Sequence, residues 1–183
     1  MIWFTADLHF GHANIMKYCN RPFCSTDDMD KTILDNINDC VSEDDELYIL
    51  GDFAMPGRRR LDYALSCFNQ INCKNKILIK GNHDSAEILA FPWKAVYQYY
   101  ELNLTGKNPL VLFHFPMEEW NDYYKNSIHL HGHQHNLSPS KSEARKFDVG
   151  VDAWNFCPVS IIEIERLAET KNNTPLKEDG KPR

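Results

Sequence analysis

Basic residues are in deficit in this 183-residue chain: 20 Lys and Arg stand against 26 Asp and Glu, for a formal charge of −6. A general nucleic-acid binder neutralises many phosphates with Lys and Arg, and this composition supplies no excess for an extended surface of that kind. Long apolar runs are missing too. Stretches such as Leu110–Phe113 fall far short of the roughly 20 residues that a span requires, so no membrane partner is expected. The opening Met1-Ile2-Trp3-Phe4 runs straight into Asp7 and His9 with no basic segment, unlike a secretory signal. The six cysteines (Cys19, Cys24, Cys40, Cys67, Cys73 and Cys157) form no CxxC pair. They read as reduced, packing thiols of a cytoplasmic protein. With 25% charged and 43% apolar residues and no low-complexity tract, a disordered or fibrous chain is excluded. The length suits one domain.

Histidine is what the sequence has in excess: eight residues. Their positions follow the apolar pattern. Met1–Thr5 has strand character and leads into Asp7-x-His9. A helix is expected over 27–41, because Ile33, Leu34, Ile37 and Val41 fall at helical spacing behind Ser25 and Thr26 as caps. Leu47–Leu50 reads as a strand running into Gly51-Asp52, and 61–71 as a second helix. Lys76–Ile79 is a strand ahead of Gly81-Asn82-His83-Asp84. Further on, 93–104 and 110–113 flank a turn-like Thr105-Gly-Lys-Asn108 and suggest a hairpin whose second strand ends in His114. Ser127–Leu130 leads into His131-Gly-His-Gln-His135, and 147–151 and 159–164 read as two last strands. After Arg166 the chain turns polar. The expected division is a domain over 1–166 and a flexible tail over 167–183.

Alternating strands and helices followed mostly by strands fit a layered α/β protein. Five apolar strands end in residues that can bind a metal: Asp7 and His9, Asp52, Asn82, His114, and His133 with His135. Ligands of sheet folds gather beyond one set of strand ends, so this placement aims all of them at one crevice.

Taken together, Asp7-x-His9, Gly51-Asp52, Gly81-Asn82-His83-Asp84, His114 and Gly132-His133-x-His135 resemble the calcineurin-like metallophosphoesterase superfamily, over about residues 1–164. The stretch from Asp7 to Ile15 is similar to a subgroup of small bacterial and phage phosphoesterases. The resemblance implies a four-layer αββα sandwich of two mixed β-sheets flanked by helices. It implies two divalent ions, one held by Asp7, His9, His135 and Asp52, the other by Asn82, His114, His133 and Asp52. A bridging carboxylate offsets the repulsion between neighbouring cations, and Asp52 suits that place. A nitrogen and oxygen donor set suits Mn, Fe, Zn, Ni or Co, with Mn favoured. In the family, the histidine matching His83 contacts the phosphate or protonates the leaving oxygen, and Asp84 is expected to orient its imidazole.

The implied activity is hydrolysis of a small, nucleotide-like phosphodiester by a metal-bridging hydroxide. A phosphomonoesterase or a nuclease of the same superfamily is the near alternative. A scaffold without activity, like the superfamily's retromer subunit, is a further one; it lacks the catalytic histidine that this chain keeps. The metallo-β-lactamase motif HxHxDH fails here, because position 135 is His and position 136 is Asn. His12, Arg21 and Arg58 are candidate substrate contacts, Arg58 as part of Arg58-Arg59-Arg60 on the loop after Asp52. His12 could instead cap the following helix. His129 and His131 share one face of a strand and read as hydrogen-bonded packing residues. Trp120, Tyr123 and Tyr124 could stack on a ring, although aromatics more often pack.

Overall fold

A computed structural model describes residues 1–55, 61–137 and 144–173; Arg58, Arg59 and Arg60 lie outside them. In chain order the elements are β1 (Ile2–Thr5), α1 (Ala13–Tyr18), α2 (Thr26–Cys40), β2 (Glu46–Ile49), α3 (Leu61–Gln70), β3 (Asn75–Ile79), α4 (Ala86–Leu89), β4 (Ala95–Tyr97), β5 (Tyr99–Leu102), β6 (Leu110–Phe113), β7 (Ile128–His131), β8 (Lys146–Asp148), β9 (Val159–Ser160) and α5 (Ile161–Ala168). They form two sheets, ordered β4-β3-β2-β1-β9 and β5-β6-β7-β8. Strands β1 to β4 run parallel, as do β6 to β8, while β9 and β5 are antiparallel edges.

Side chains alternate across each strand and so divide the apolar residues between two layers. Phe4, Tyr48, Leu50, Ile77 and Ile79 of the first sheet meet Leu110, Leu112, Leu130 and Phe147 of the second, forming the core between the sheets. Leu47, Ile49 and Leu78 point the other way and pack with Met29, Ile33 and Ile37 of α2, Ala64 and Phe68 of α3, and Ile88 of α4. Burial on both faces explains why β1 to β3 read as unbroken apolar runs. The expected α/β build of two mixed sheets with flanking helices is therefore what forms. On the outer face of the second sheet, Trp120 from the β6–β7 connection packs against Val111, and a 3-10 turn follows at Tyr123–Lys125.

Ser25 caps α2 as expected, its Oγ accepting the Asp28 N–H at 3.1 Å. Two expectations need correction. The single strand over 93–104 breaks at Gln98: β4 pairs with β3 in the first sheet, and β5 pairs with β6 in the second. The strand over 159–164 stops at Ser160, whose Oγ caps α5 by accepting the Glu163 N–H at 3.2 Å. Ile161, Ile164 and Ala168 are buried at helical spacing, a period that a short apolar run hides. Within the polar tail expected from 167, Asn173 is anchored although Glu169, Thr170 and Asn172 are exposed. The Asn173 side chain is fully buried, accepting from the Arg145 N–H at 2.6 Å and donating to Ser127 O at 2.6 Å.

His129 tests the packing reading directly. In the buried ring Nδ1 donates to Val111 O at 3.0 Å and, when neutral, Nε2 accepts the Met117 N–H at 3.2 Å, with Phe115 O a further neighbour of Nε2 at 3.3 Å. Burial pushes its pKa down to about 3. The folded chain thus resists a proton that the unfolded chain takes up near 6.5. Stability supplied by this residue is complete above pH 6.5 and drains as pH falls toward 3, by about 1.4 kcal/mol per unit. Urea midpoints measured from pH 7 to 4 should fall less steeply in His129→Gln than in the wild type. Parallel slopes would contradict the assignment.

Candidate metal centre

Every strand that delivers a candidate ligand is parallel to its neighbour, so the ligands emerge at the C-terminal edges of β1, β2, β3, β6 and β7. The two edges are sewn together. His114 at the end of β6 donates through Nδ1 to Leu50 O beyond β2 at 2.8 Å, and the His133 N–H beyond β7 reaches Asp7 Oδ2 beyond β1 at 2.8 Å. The crevice is the seam between the sheets. Asp7, His9, Asp52, His133 and His135 all have left-handed backbones, with φ of 57, 52, 55, 70 and 49°. Such conformations are uncommon outside glycine and cluster where function demands them.

Glycines let the carboxylates lie flat against the backbone. A Cβ on Gly81 would stand 2.3 Å from Asp52 Oδ1, and one on Gly132 would stand 2.7 Å from Asp7 Oδ2. That close approach is the physical reason for the glycines preceding Asn82 and His133.

The donor atoms converge without hydrogens to share. A carbonyl oxygen can only accept, so the bond from His114 to Leu50 leaves the lone pair on Nε2. That atom faces Asn82 Oδ1 at 2.9 Å and Asp52 Oδ2 at 3.5 Å. Asp52 Oδ2 also lies 3.6 Å from His9 Nε2, and His9 Nε2 and Asp7 Oδ1 are buried with no hydrogen-bond partner. Ligand atoms of Asp7, His9 and His135 come within 4.8 Å of one another, as do those of Asp7, Asp52 and His114. Burial pushes the Asp7 carboxyl up and the His9 imidazole down. A divalent cation is the partner that lets a buried carboxylate stay ionised beside neutral imidazoles. The residues present therefore fit such an ion.

Supporting groups fix these donors. The Asp84 carboxylate is buried and accepts the N–H groups of Gly81 at 2.8 Å, Asp52 at 3.0 Å and Phe53 at 2.9 Å. It was expected to orient His83. Instead it holds the backbone carrying Asp52, because three amides at hydrogen-bonding distance outcompete a single exposed ring. His83 projects from the loop, its N–H on Asp52 Oδ1 at 2.8 Å and its ring centre 5.5 Å from that of His9. His12 stands at the start of α1, but its side chain caps nothing; its Nδ1 lies 3.4 Å from His9 Nδ1.

Arg21 is also corrected. Expected to meet substrate, its guanidinium is buried and bonded to Asp152 and to the carbonyls of Asp7 and Leu8. Asp152 in turn accepts from His135 Nδ1 at 2.8 Å. Burial is the largest influence and opposes charge on His135, but Asp152, Cys19 and Asp7 together outweigh it and push the imidazole up to about 10. The same contact holds Nδ1–H in place when Nε2 faces a cation. Asp152 is the functional residue that sequence reasoning missed. Trp120 is a core residue, although Tyr123 and Tyr124 line a shallow cavity of about 370 Å³ beside it.

With this geometry in place, comparison with known proteins is informative. A family model described as calcineurin-like phosphoesterase matches residues 1–155. MJ1445, an uncharacterised protein of Methanocaldococcus jannaschii, is 33% identical over 172 residues, covering 92% of this chain and 91% of that protein. The gene 66 protein of Mycobacterium phage D29 is 26% identical over 200 residues, covering 94% and 96% of the two. Among solved structures, the protein of unknown function AQ665 from Aquifex aeolicus aligns with a TM-score of 0.75 at 26% identity, over 91% of this chain and 98% of that one.

Proposed function

The chain belongs to the calcineurin-like phosphoesterase family of metal-dependent phosphoester hydrolases, and from that premise we propose that it is a dinuclear phosphodiesterase acting on a small, nucleotide-like phosphoester. One observation carries the reading: Asp52 Oδ2 sits between His9 Nε2 and His114 Nε2, 3.6 and 3.5 Å away. On the family resemblance those imidazoles fall in two donor groups, Asp7, His9 and His135 on one side and Asn82, His114 and His133 on the other. A carboxylate oxygen shared between them suits two cations with Asp52 as the common ligand. Donor chemistry suits Mn, Fe, Zn, Ni or Co, and manganese is the metal adopted for the tests.

When bound, such cations supply Lewis acidity toward the phosphoryl oxygens and a nucleophile at neutral pH. The protein's own groups do the rest. Asp7, Asp52 and the four imidazoles fix where charge accumulates, and the N–H groups of His83 and His133 hold the two carboxylates in place. His83, exposed beyond the ligands and tethered through its N–H to Asp52, is placed to meet the phosphate or give a proton to the leaving oxygen. Burial keeps His12 and His133 on the neutral side, and Arg21 is spent on Asp152. Among the described residues the crevice thus offers little cationic side-chain support, and a phosphodiester, with one negative charge, asks for less of it than a phosphomonoester.

The test is turnover of bis-p-nitrophenyl phosphate against mono-p-nitrophenyl phosphate with added manganese, using metal-free protein as control. The diester should be hydrolysed at the higher kcat/KM. A preference for the monoester overturns the diester assignment, and no metal-dependent turnover of either substrate overturns the enzyme reading.

A further inference from the structure

Arg21 and Asp152 lie 131 residues apart in sequence and meet beneath the crevice. The fork is complete: Arg21 Nε donates to Asp152 Oδ1 at 2.8 Å and Nη2 to Asp152 Oδ2 at 2.8 Å. Nη2 also reaches Asp7 O at 2.7 Å, and Nη1 reaches Leu8 O at 3.2 Å. One guanidinium thus grips the backbone that carries Asp7 and His9 and, through Asp152 Oδ2, the imidazole of His135. Those three residues are left-handed, so their backbones need an outside tie to stay where they are. The opposite donors have other ties: Asp84 on the amides around Asp52, and Leu50 O under His114.

We propose that Arg21 and Asp152 are a positioning pair that assembles the Asp7–His9–His135 half of the centre and reaches the Asn82–His114–His133 half indirectly, through the His133 N–H on Asp7 Oδ2. The proposal rests on the dinuclear reading above. Cys19, His135 and Asp152 also present ligand atoms within 4.8 Å of one another. They do not make a third cation site, because both Asp152 oxygens are engaged and the neighbouring guanidinium repels a cation.

Asp152→Asn keeps the size of the side chain and an oxygen for His135, but loses the charge that fixes Arg21. At metal concentrations that saturate the wild type with two manganese ions, this variant should hold one. The affinity for the lost ion should fall by roughly 10–100-fold. Electron paramagnetic resonance should change from a spin-coupled pair to an isolated ion. Arg21→Lys, which cannot form the fork, should behave alike, and the double variant should lose little more. Nitrogen–proton NMR of the wild type loaded with diamagnetic zinc supplies a check that needs no variant: His135 should be the Nδ1–H tautomer.

Two ions at unchanged affinity in both single variants, or an Nε2–H tautomer at His135, overturns the positioning pair. A wild type that saturates at one ion overturns the dinuclear reading itself, and the pair with it.

Discussion

Asp52→Ala should lose both cations together and lower phosphoester turnover by on the order of 10³-fold or more, as expected when several kcal/mol of charge stabilisation disappear. The reason is the position of a single oxygen. Asp52 is 1% exposed, with Oδ1 committed to the His83 N–H and Oδ2 left between imidazoles of both donor groups. Removing it leaves the imidazoles of both groups with no carboxylate between them, Asp7 being the remaining anion of the cluster. The fold should tolerate the change, because Asp52 is one of the anions that push the Asp7 carboxyl up. Relieving that repulsion offsets the loss of the bond to His83. Metal content by mass spectrometry and circular dichroism on the same sample separate the two effects. Two retained ions would sink the bridging assignment, whatever the activity.

His83→Ala should do the opposite to the metals and nearly the same to the chemistry. Its side chain is exposed and none of the close donor contacts runs through it, so both ions should remain. Hydrolysis of esters with poor leaving groups should fall roughly 10²–10⁴-fold, the usual worth of a positioned proton donor. The loss on p-nitrophenyl esters should be smaller, since p-nitrophenolate leaves without a proton. Equal losses on both substrates would assign His83 to holding the phosphate instead.

How much of this was legible beforehand depended on where each signal lives. Strand ends were readable because β1, β2, β3, β6 and β7 are short apolar runs that stop at a polar residue, and all five candidate blocks do meet at one seam. The reason for the glycines was not readable: a clash between a Cβ on Gly81 and Asp52 is a distance between loops 29 residues apart in sequence. Asp84 and Arg21 were misread on the same ground. An acid beside a histidine and an arginine in a loop both look functional. Only folding shows that backbone amides and Asp152 have already claimed them. Asp152 itself had a signal, since it closes Val149-Gly-Val-Asp152 just beyond β8, another parallel strand. The strand-end rule applied once more would have found it. The break at Gln98 was out of reach, because β4 and β5 carry similar residues and differ only in which sheet recruits them.

Central to the account is a pair of cations sharing Asp52 as the working element of a phosphoester hydrolase. Titrating the metal-free wild-type chain with manganese, while following bound metal and bis-p-nitrophenyl phosphate turnover in the same samples, tests it most directly. The account predicts that binding saturates at two ions per chain and that turnover rises to its plateau only as the second ion fills. Full turnover at one ion, or turnover that is already present without metal, would contradict it.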